Sequence, residues 1–355
     1  MNRLTRAVDR WFGRGEFSVT VPPMDGAFRP NDRLDAAAIA LELPAPDALA
    51  ITSRGLLVSS DARLFDVGRP SAGALVFEAE ITALTGLPDG GAAAGLSDGR
   101  IVFTDGRTIP AHPEIRCITA LAPASDGALF VANGSSAFSP HEWTRDLMAT
   151  TPTGSVWRLD SATGRAIQLA GALAYPHGLL DEGGAVVVSE SWRSALTRIS
   201  PGGAGRPEIV LDNLPAYPGR LSRASDGGVW LALFAPRSQL VEFVLKERSF
   251  RERMIREVEP DAWVAPSLRS GRSPLEPIQQ GGVRQLGVLK PWSPSRSCGL
   301  VARLDANYRP LSSLHSRAGG RRHGVTSCLA HEGQVFFTAK GDGVVASFAE
   351  LGATP

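Results

Sequence analysis

Six segments of the chain repeat one pattern: a short apolar run, a turn built on Gly or Asp-Gly, and a second run rich in Val, Phe or Trp. They read DALAITSRGLLVSS, ITALTGLPDGGAAAG, CITALAPASDGALFVAN, HGLLDEGGAVVVSE, GRLSRASDGGVWLAL and VTSCLAHEGQVFFTA. Two such runs around a tight turn are a hairpin, and an isolated hairpin is at best marginally stable in water. A further amphipathic run follows most of them, as in ARLFDVG, GRIVFTDG, GSVWRLDSATG, SALTRISPGG and GLVARLDANYRP, and reads as a third strand. Four short antiparallel strands per unit, each unit burying its face against the next, describe a β-propeller. The expectation is an all-β, six-bladed β-propeller over residues 1–355 as one domain, and 38 Gly and 26 Pro suit so turn-dense a chain. Asp47, Ala83, Thr119, His177, Arg220 and Thr326 head the first runs, where a propeller places side chains at the mouth of its central channel.

Two stretches interrupt the repeat. Ser135–Ser155 widens the third unit, and a longer stretch from about 234 to 298 reads as a cap or lid inserted between the fifth and sixth blades. Within it, QLVEFVLKERSFRERMIREV has helical periodicity and strong helix formers. The stretch after that is rich in Pro, Gly and Ser, and loops of such length are usually functional or disordered. At the start, Leu4, Val8, Trp11 and Phe12 fall at helical spacing among Arg3, Arg6, Arg10 and Arg14. An N-terminal helix over 1–15 follows, either docked on the domain or making peripheral contact with a membrane surface.

Lys and Arg total 37 against 36 Asp and Glu, so no basic field exists to attract a phosphate backbone, and nucleic acid is a poor partner. Cys117, Cys298 and Cys328 are far apart and lack metal-ligand spacing, which fits reduced thiols. No stretch approaches the roughly 18 apolar residues of a bilayer span, and no apolar segment follows the first basic residues as in a signal peptide, so a cytoplasmic location is expected. The GxSxG, HExxH, GxxxxGK[ST] and strand-led GxGxxG signatures are absent from the sequence.

Four segments carry a family resemblance: LAYPHGLLDEGGAVVVSESWRSALTRI, LPAYPGRLSRASDGGVWLAL, ANGSSAF and RRHGVTSCLAHEGQVFFTA. In this order they resemble the strictosidine synthase-like family, which belongs with the gluconolactonase and paraoxonase type proteins among the six-bladed propellers. The resemblance runs from about Ala45 to the C-terminus. It implies small-molecule chemistry in the central channel and, for hydrolases of the wider superfamily, one divalent cation, usually calcium, held by a Glu and by Asn or Asp side chains. Asp47 keeps a carboxylate at the first of those places, whereas Thr119, His177 and the pair Gly219-Arg220 stand at the others. The family's alkaloid-forming synthase uses a Glu as base on the sixth blade, and Thr326 stands there.

What the resemblance implies is a hydrolase acting on a lactone or ester, with His177, Arg220 and Asp47 as its catalytic residues. Thr119, Asn133, Glu190, His323 and Thr326 are candidate ligand-binding residues, and Asp47 with His177 would be the metal ligands. Each has a plainer reading. Arg220 either binds an anionic small molecule through its fork of donors or pairs with Asp47 across the channel. His177 is a general base, a ligand or a hydrogen-bonded channel residue. Glu190 reads as structural, held by Arg193 or Arg198, and His323 either points into the pocket or sits in a basic surface turn. Two other functions stay open: a non-catalytic propeller that binds a ligand or protein, and a metal-free lyase or condensing enzyme with His177 or His323 as base.

Overall fold

Turn chemistry sets the repeat. In the computed structural model, which describes residues 21–200, 206–270, 276 and 296–350 and the backbone of 284–285 and 288–289, three hairpin turns share the sequence Ser-Asp-Gly. Asp98, Asp126 and Asp226 each accept a backbone N–H two residues on, at 3.1, 3.2 and 3.0 Å. The glycines that follow, Gly99, Gly127 and Gly227, stand at φ of 87°, 86° and 86°, which a Cβ would oppose.

Six four-stranded antiparallel sheets result, each contacting the next in a closed ring. Their inner strands are Pro46–Thr52, Ile81–Gly86, Ile118–Pro123, Pro176–Asp181, Ala216–Arg223 and Val325–His331. Blade six is completed by an earlier segment, because Ala38–Glu42 pairs with Val344–Ala349 as its outermost strand. This joins the two ends of the ring and removes an open edge. Between blades the apolar faces interlock, as where Trp230 of blade five lies buried with Val325, Val335 and Phe337 of blade six. The Trp230 indole N–H donates to Glu350 at 2.9 Å.

The interruptions leave from equivalent places. In blade three, α1 (Trp143–Ala149) lies between the second strand, Leu129–Asn133, and the third, Gly154–Leu159. In blade five, α2 (Gln239–Lys246) and α3 (Arg248–Glu257) follow the second strand, Val229–Pro236, and the chain returns as the third strand, Gly299–Leu304. The long excursion is therefore threaded inside the fifth blade, before the last one but not between the fifth and the sixth. Leu147 and Met148 of α1 bury against Val244 of α2, Met254 of α3, Trp263 and Ala265, so both excursions share one apolar core and form a cap. The helix expected over 1–15 lies outside the described residues.

Candidate functional site

One structural device recurs in every blade. Near the head of each inner strand the pairing register slips, and the bulged residues include Asp47, Thr82, Thr119, His177, Arg220 and Thr326. A bulge re-aims a side chain, and all six of these line one cavity of about 330 Å³. In blade two the bulged residue that lines the cavity is Thr82 and not Ala83, which is paired with Gly95 in the ladder. Gly178 lets the inner strands of blades four and five close in beside this ring: a Cβ there would lie 2.6 Å from the Gly219 carbonyl oxygen and 2.8 Å from the Arg220 Cα.

Arg220 crosses the channel. Its Nη1 donates to Asp47 Oδ1 at 3.0 Å and its Nη2 to the Thr82 carbonyl at 2.7 Å, reaching from blade five to blades one and two. The ion pair is buried, and Lys340 Nζ stands 3.4 Å from Asp47 Oδ2. Burial alone would raise the Asp47 acid range, but Arg220 and Lys340 more than offset it and hold the group ionised, well below the usual carboxylate range. Two cations thus face one carboxylate at the floor. Beside them the half-buried His177 imidazole is pushed down to about 3, first by burial and then by Arg220, so it is neutral at pH 7. Its Nδ1 lies 3.4 Å from Ser191 Oγ.

The walls are aromatic. Trp192 stacks on Tyr175 with ring centroids 4.7 Å apart and on Trp143 of α1 at 6.1 Å, and Phe234 meets His177 at 5.3 Å. Tyr175 stands at φ 58°, and left-handed backbone at a non-glycine residue costs about 1–3 kcal/mol. Its carbonyl accepts the Ser191 N–H at 3.0 Å, which fixes that conformation at the cavity wall. The Trp192 indole N–H donates to Asp146 of α1 at 2.7 Å, tying the cap to the propeller. Burial raises the Asp146 acid range, partly opposed by its Ser135 and Trp192 hydrogen bonds.

The remaining sequence candidates divide. Thr119 and Thr326 line the cavity, but their hydroxyls are spent on backbone, donating to the Pro176 carbonyl at 2.6 Å and the Asp47 carbonyl at 2.9 Å. Asn133, fully buried, accepts the Cys117 N–H at 2.8 Å and stands outside the cavity. Glu190 is also fully buried, taking Ala174 N–H at 2.8 Å, the Thr197 hydroxyl at 2.6 Å and Arg193 at 3.0 Å, which is a structural role. His323 is neither at the cavity nor at the surface: it is 1% exposed, 2.8 Å from Ser297 Oγ and 2.7 Å from the Arg317 carbonyl. Residues that the sequence reading missed also line the cavity, namely Glu80, Lys340, His141 and the aromatic wall. Glu80 and Tyr175 each lie two positions before a bulged residue, just ahead of the strands Ile81–Gly86 and Pro176–Asp181, and that shared offset is the sequence signal that points to them.

A calcium ion takes six to eight oxygen ligands. The described residues hold no group of three His, Cys, Asp or Glu side chains able to share a metal ion. The single floor carboxylate is already engaged by two cations, and at an effective dielectric of 20 a third positive charge 4 Å from one of them meets a repulsion of about 4 kcal/mol per unit charge. As they are placed here, Asp47 and His177 do not fit a divalent cation.

Comparison with known proteins agrees with this architecture. No family model matches. The adipocyte plasma membrane-associated protein of Danio rerio is 25% identical over 277 residues, 67% of this chain and 66% of that protein. The protein of the same name from Salmo salar is 27% identical over 113 residues, 31% of this chain and 27% of its own length. The match thus spans less than two thirds of either relative. Among solved structures, a gluconolactonase from Xanthomonas campestris superposes with a TM-score of 0.54 at 13% identity, covering 94% of this chain and 97% of that one. A calcium-binding regucalcin from Agrobacterium tumefaciens gives 0.53 at 10% identity over 88% and 92% of the two chains. At such identities these structures share the fold alone. Among the described residues no helix is long and apolar enough to cross a membrane.

Proposed function

We propose, from the premise that this six-bladed propeller is a strictosidine synthase-like homologue of the adipocyte plasma membrane-associated proteins, that the chain is a metal-independent hydrolase for a small lactone or ester with an apolar or aromatic body. One observation carries the reading: Arg220 and Lys340 converge on the buried carboxylate of Asp47, which fixes two cationic groups in an aromatic-walled cavity that Glu80 and Asp61 also line. Ester and lactone hydrolysis develops negative charge on the carbonyl oxygen, and fixed cations in a dry site stabilise that charge without reorganising. The Asp47 anchor holds the guanidinium and ammonium groups in place before substrate arrives. The cavity, about 330 Å³, suits a small molecule, and Trp143, Trp192, Tyr175 and Phe234 supply flat apolar surface for its body. That a fold neighbour is named a gluconolactonase adds to the case for a lactone.

A second reading, a propeller that binds such a molecule without converting it, is favoured by one fact: His177, at about 3, is a weak base at neutral pH. The two readings separate in one assay. Purified protein, treated with chelator, is offered a panel of aryl esters and aromatic and aliphatic lactones, and ligand binding is followed through the fluorescence of Trp143 and Trp192. Turnover that survives the chelator supports the hydrolase. Quenching with no turnover anywhere in the panel supports the binding propeller.

A further inference from the structure

The hydrolase reading leaves the water-activating base unassigned. The cavity holds a second titratable pair, away from the floor. Glu80 leads into the inner strand of blade two, and His141 belongs to the cap, on the short turn Pro140–Glu142 that precedes α1. Their side chains meet, with His141 Nε2 2.9 Å from Glu80 Oε2, and both line the cavity. The turn is fixed by a capping box: the Ser139 hydroxyl donates to Glu142 at 2.9 Å and the Ser139 N–H to the same carboxylate at 3.3 Å. A carboxylate on Nε2 selects the tautomer in which that nitrogen carries the proton and Nδ1 is the ring's acceptor, the logic by which a base is oriented by a third group.

We propose that His141 is the general base and then the general acid of this hydrolysis, with Glu80 as its positioning residue; the inference rests on the hydrolase reading above. As a water oxygen bonds to the acyl carbon, the water's proton passes to His141 Nδ1 and the carbonyl electrons move to oxygen, where Lys340 and Arg220 face the negative charge. When the intermediate collapses, the acyl C–O bond breaks and the imidazolium returns the proton to the leaving alkoxide. Glu80 accepts from Nε2–H throughout and stabilises the transient cation. No electrons are gained or lost overall.

The surroundings of the pair suit this work. Glu80 is held above the usual carboxylate range, first by burial, with Lys340 and His141 opposing the rise and Asp47 and Asp61 adding to it, so Lys340 interacts with the pair as well as with the floor. His177 is deeper and held neutral at about 3. The cap contributes His141 and the propeller contributes Glu80, so the cap completes the site as well as covering it.

The test compares full-length wild type with H141Q, E80Q, E80D and H177N on the aryl ester and lactone panel. The expected result is a kcat loss on the order of 10²–10⁴-fold in H141Q and roughly tenfold or more in E80Q, with KM within about threefold and E80D restoring part of the rate. The wild-type acid limb in the pH profile of kcat disappears in H141Q and moves in E80Q, while H177N keeps it. If wild type turns over and both H141Q and E80Q stay within about threefold of its kcat, the pair is not the base and the inference falls while the hydrolase stands. If wild type turns over nothing in the panel, the hydrolase reading falls and takes this inference with it.

Discussion

The floor and the rim of the cavity use charge in opposite ways. At the floor, Asp47 and Arg220 are each 8% exposed and locked in a bidentate contact, with Lys340 closing the group. At the rim, the Glu80 and His141 side chains are 26% and 60% exposed and linked by a single contact between the propeller and the cap. A buried pair cannot lose one member cheaply, because the survivor is left desolvated and unpaired. An exposed pair contributes little to stability and remains free to exchange protons. The floor is fixed and the rim is exposed, and the proposed division between oxyanion stabilisation and proton transfer rests on that contrast.

Substitutions sharpen this contrast, beginning with the floor. R220A should lower unfolding stability by about 3–5 kcal/mol in chemical denaturation, because Asp47 is then buried without its main partner. D47L/R220M, which removes both charges, should recover most of that loss; recovery of none would mean that packing and not ion pairing holds the channel. W192A should cost about 1–3 kcal/mol, less than a fully buried tryptophan, and should raise KM by removing the indole that ties Asp146 of the cap to the propeller. E80Q should change stability by no more than about 0.5 kcal/mol while lowering kcat.

The pH dependence of stability separates two floor groups by the pH window in which each acts. Asp47 has a folded acid range below its unfolded one, so its contribution is full above about pH 4 and is lost as pH falls below that. His177 is also depressed, to about 3 against an unfolded value near 6.5, so the unfolded chain takes up the proton first and stability falls as pH drops from about 6.5 toward 3. His315, lowered to about 4 by burial, and His323, lowered mainly by burial, act in the same direction. H177N should therefore flatten, but not abolish, the acid slope of stability over that interval; an unchanged slope would show that the imidazole is already solvated in the native protein.

The blades and the helical insertion were legible in the sequence, and the wall that surrounds the cavity was not, for physical reasons. Strand pairs announce themselves through period-two apolar runs and Asp-Gly turns, and these located all six inner strands and five of the six bulged residues. The sixth was placed one residue late, at Ala83, although the Ile-Thr-Ala-Leu shared by blades two and three aligns Thr82 with Thr119. The strand Ala38–Glu42 went unseen because its partner is more than 300 positions away in sequence, at Val344–Ala349. Helical periodicity identified α2 and α3 but says nothing of which face they cover, so the wall built with Trp143, Trp192 and Phe234 could not be read in advance. Glu190 and Asn133 carry site-like residue types, yet each is enclosed by backbone donors, a fact of tertiary structure alone.

The measurement that bears most directly on this account is the melting temperature of the purified protein in millimolar calcium and in excess chelator, for wild type and D47N. An ion that bound only the native state at 100 times its Kd would add about 2.7 kcal/mol and a visible rise in Tm. If Arg220 and Lys340 stand where a cation would, wild type melts at the same temperature in both buffers and D47N melts lower in both. A wild-type Tm that rises with calcium, and does so no longer in D47N, would contradict the account and make Asp47 a metal ligand.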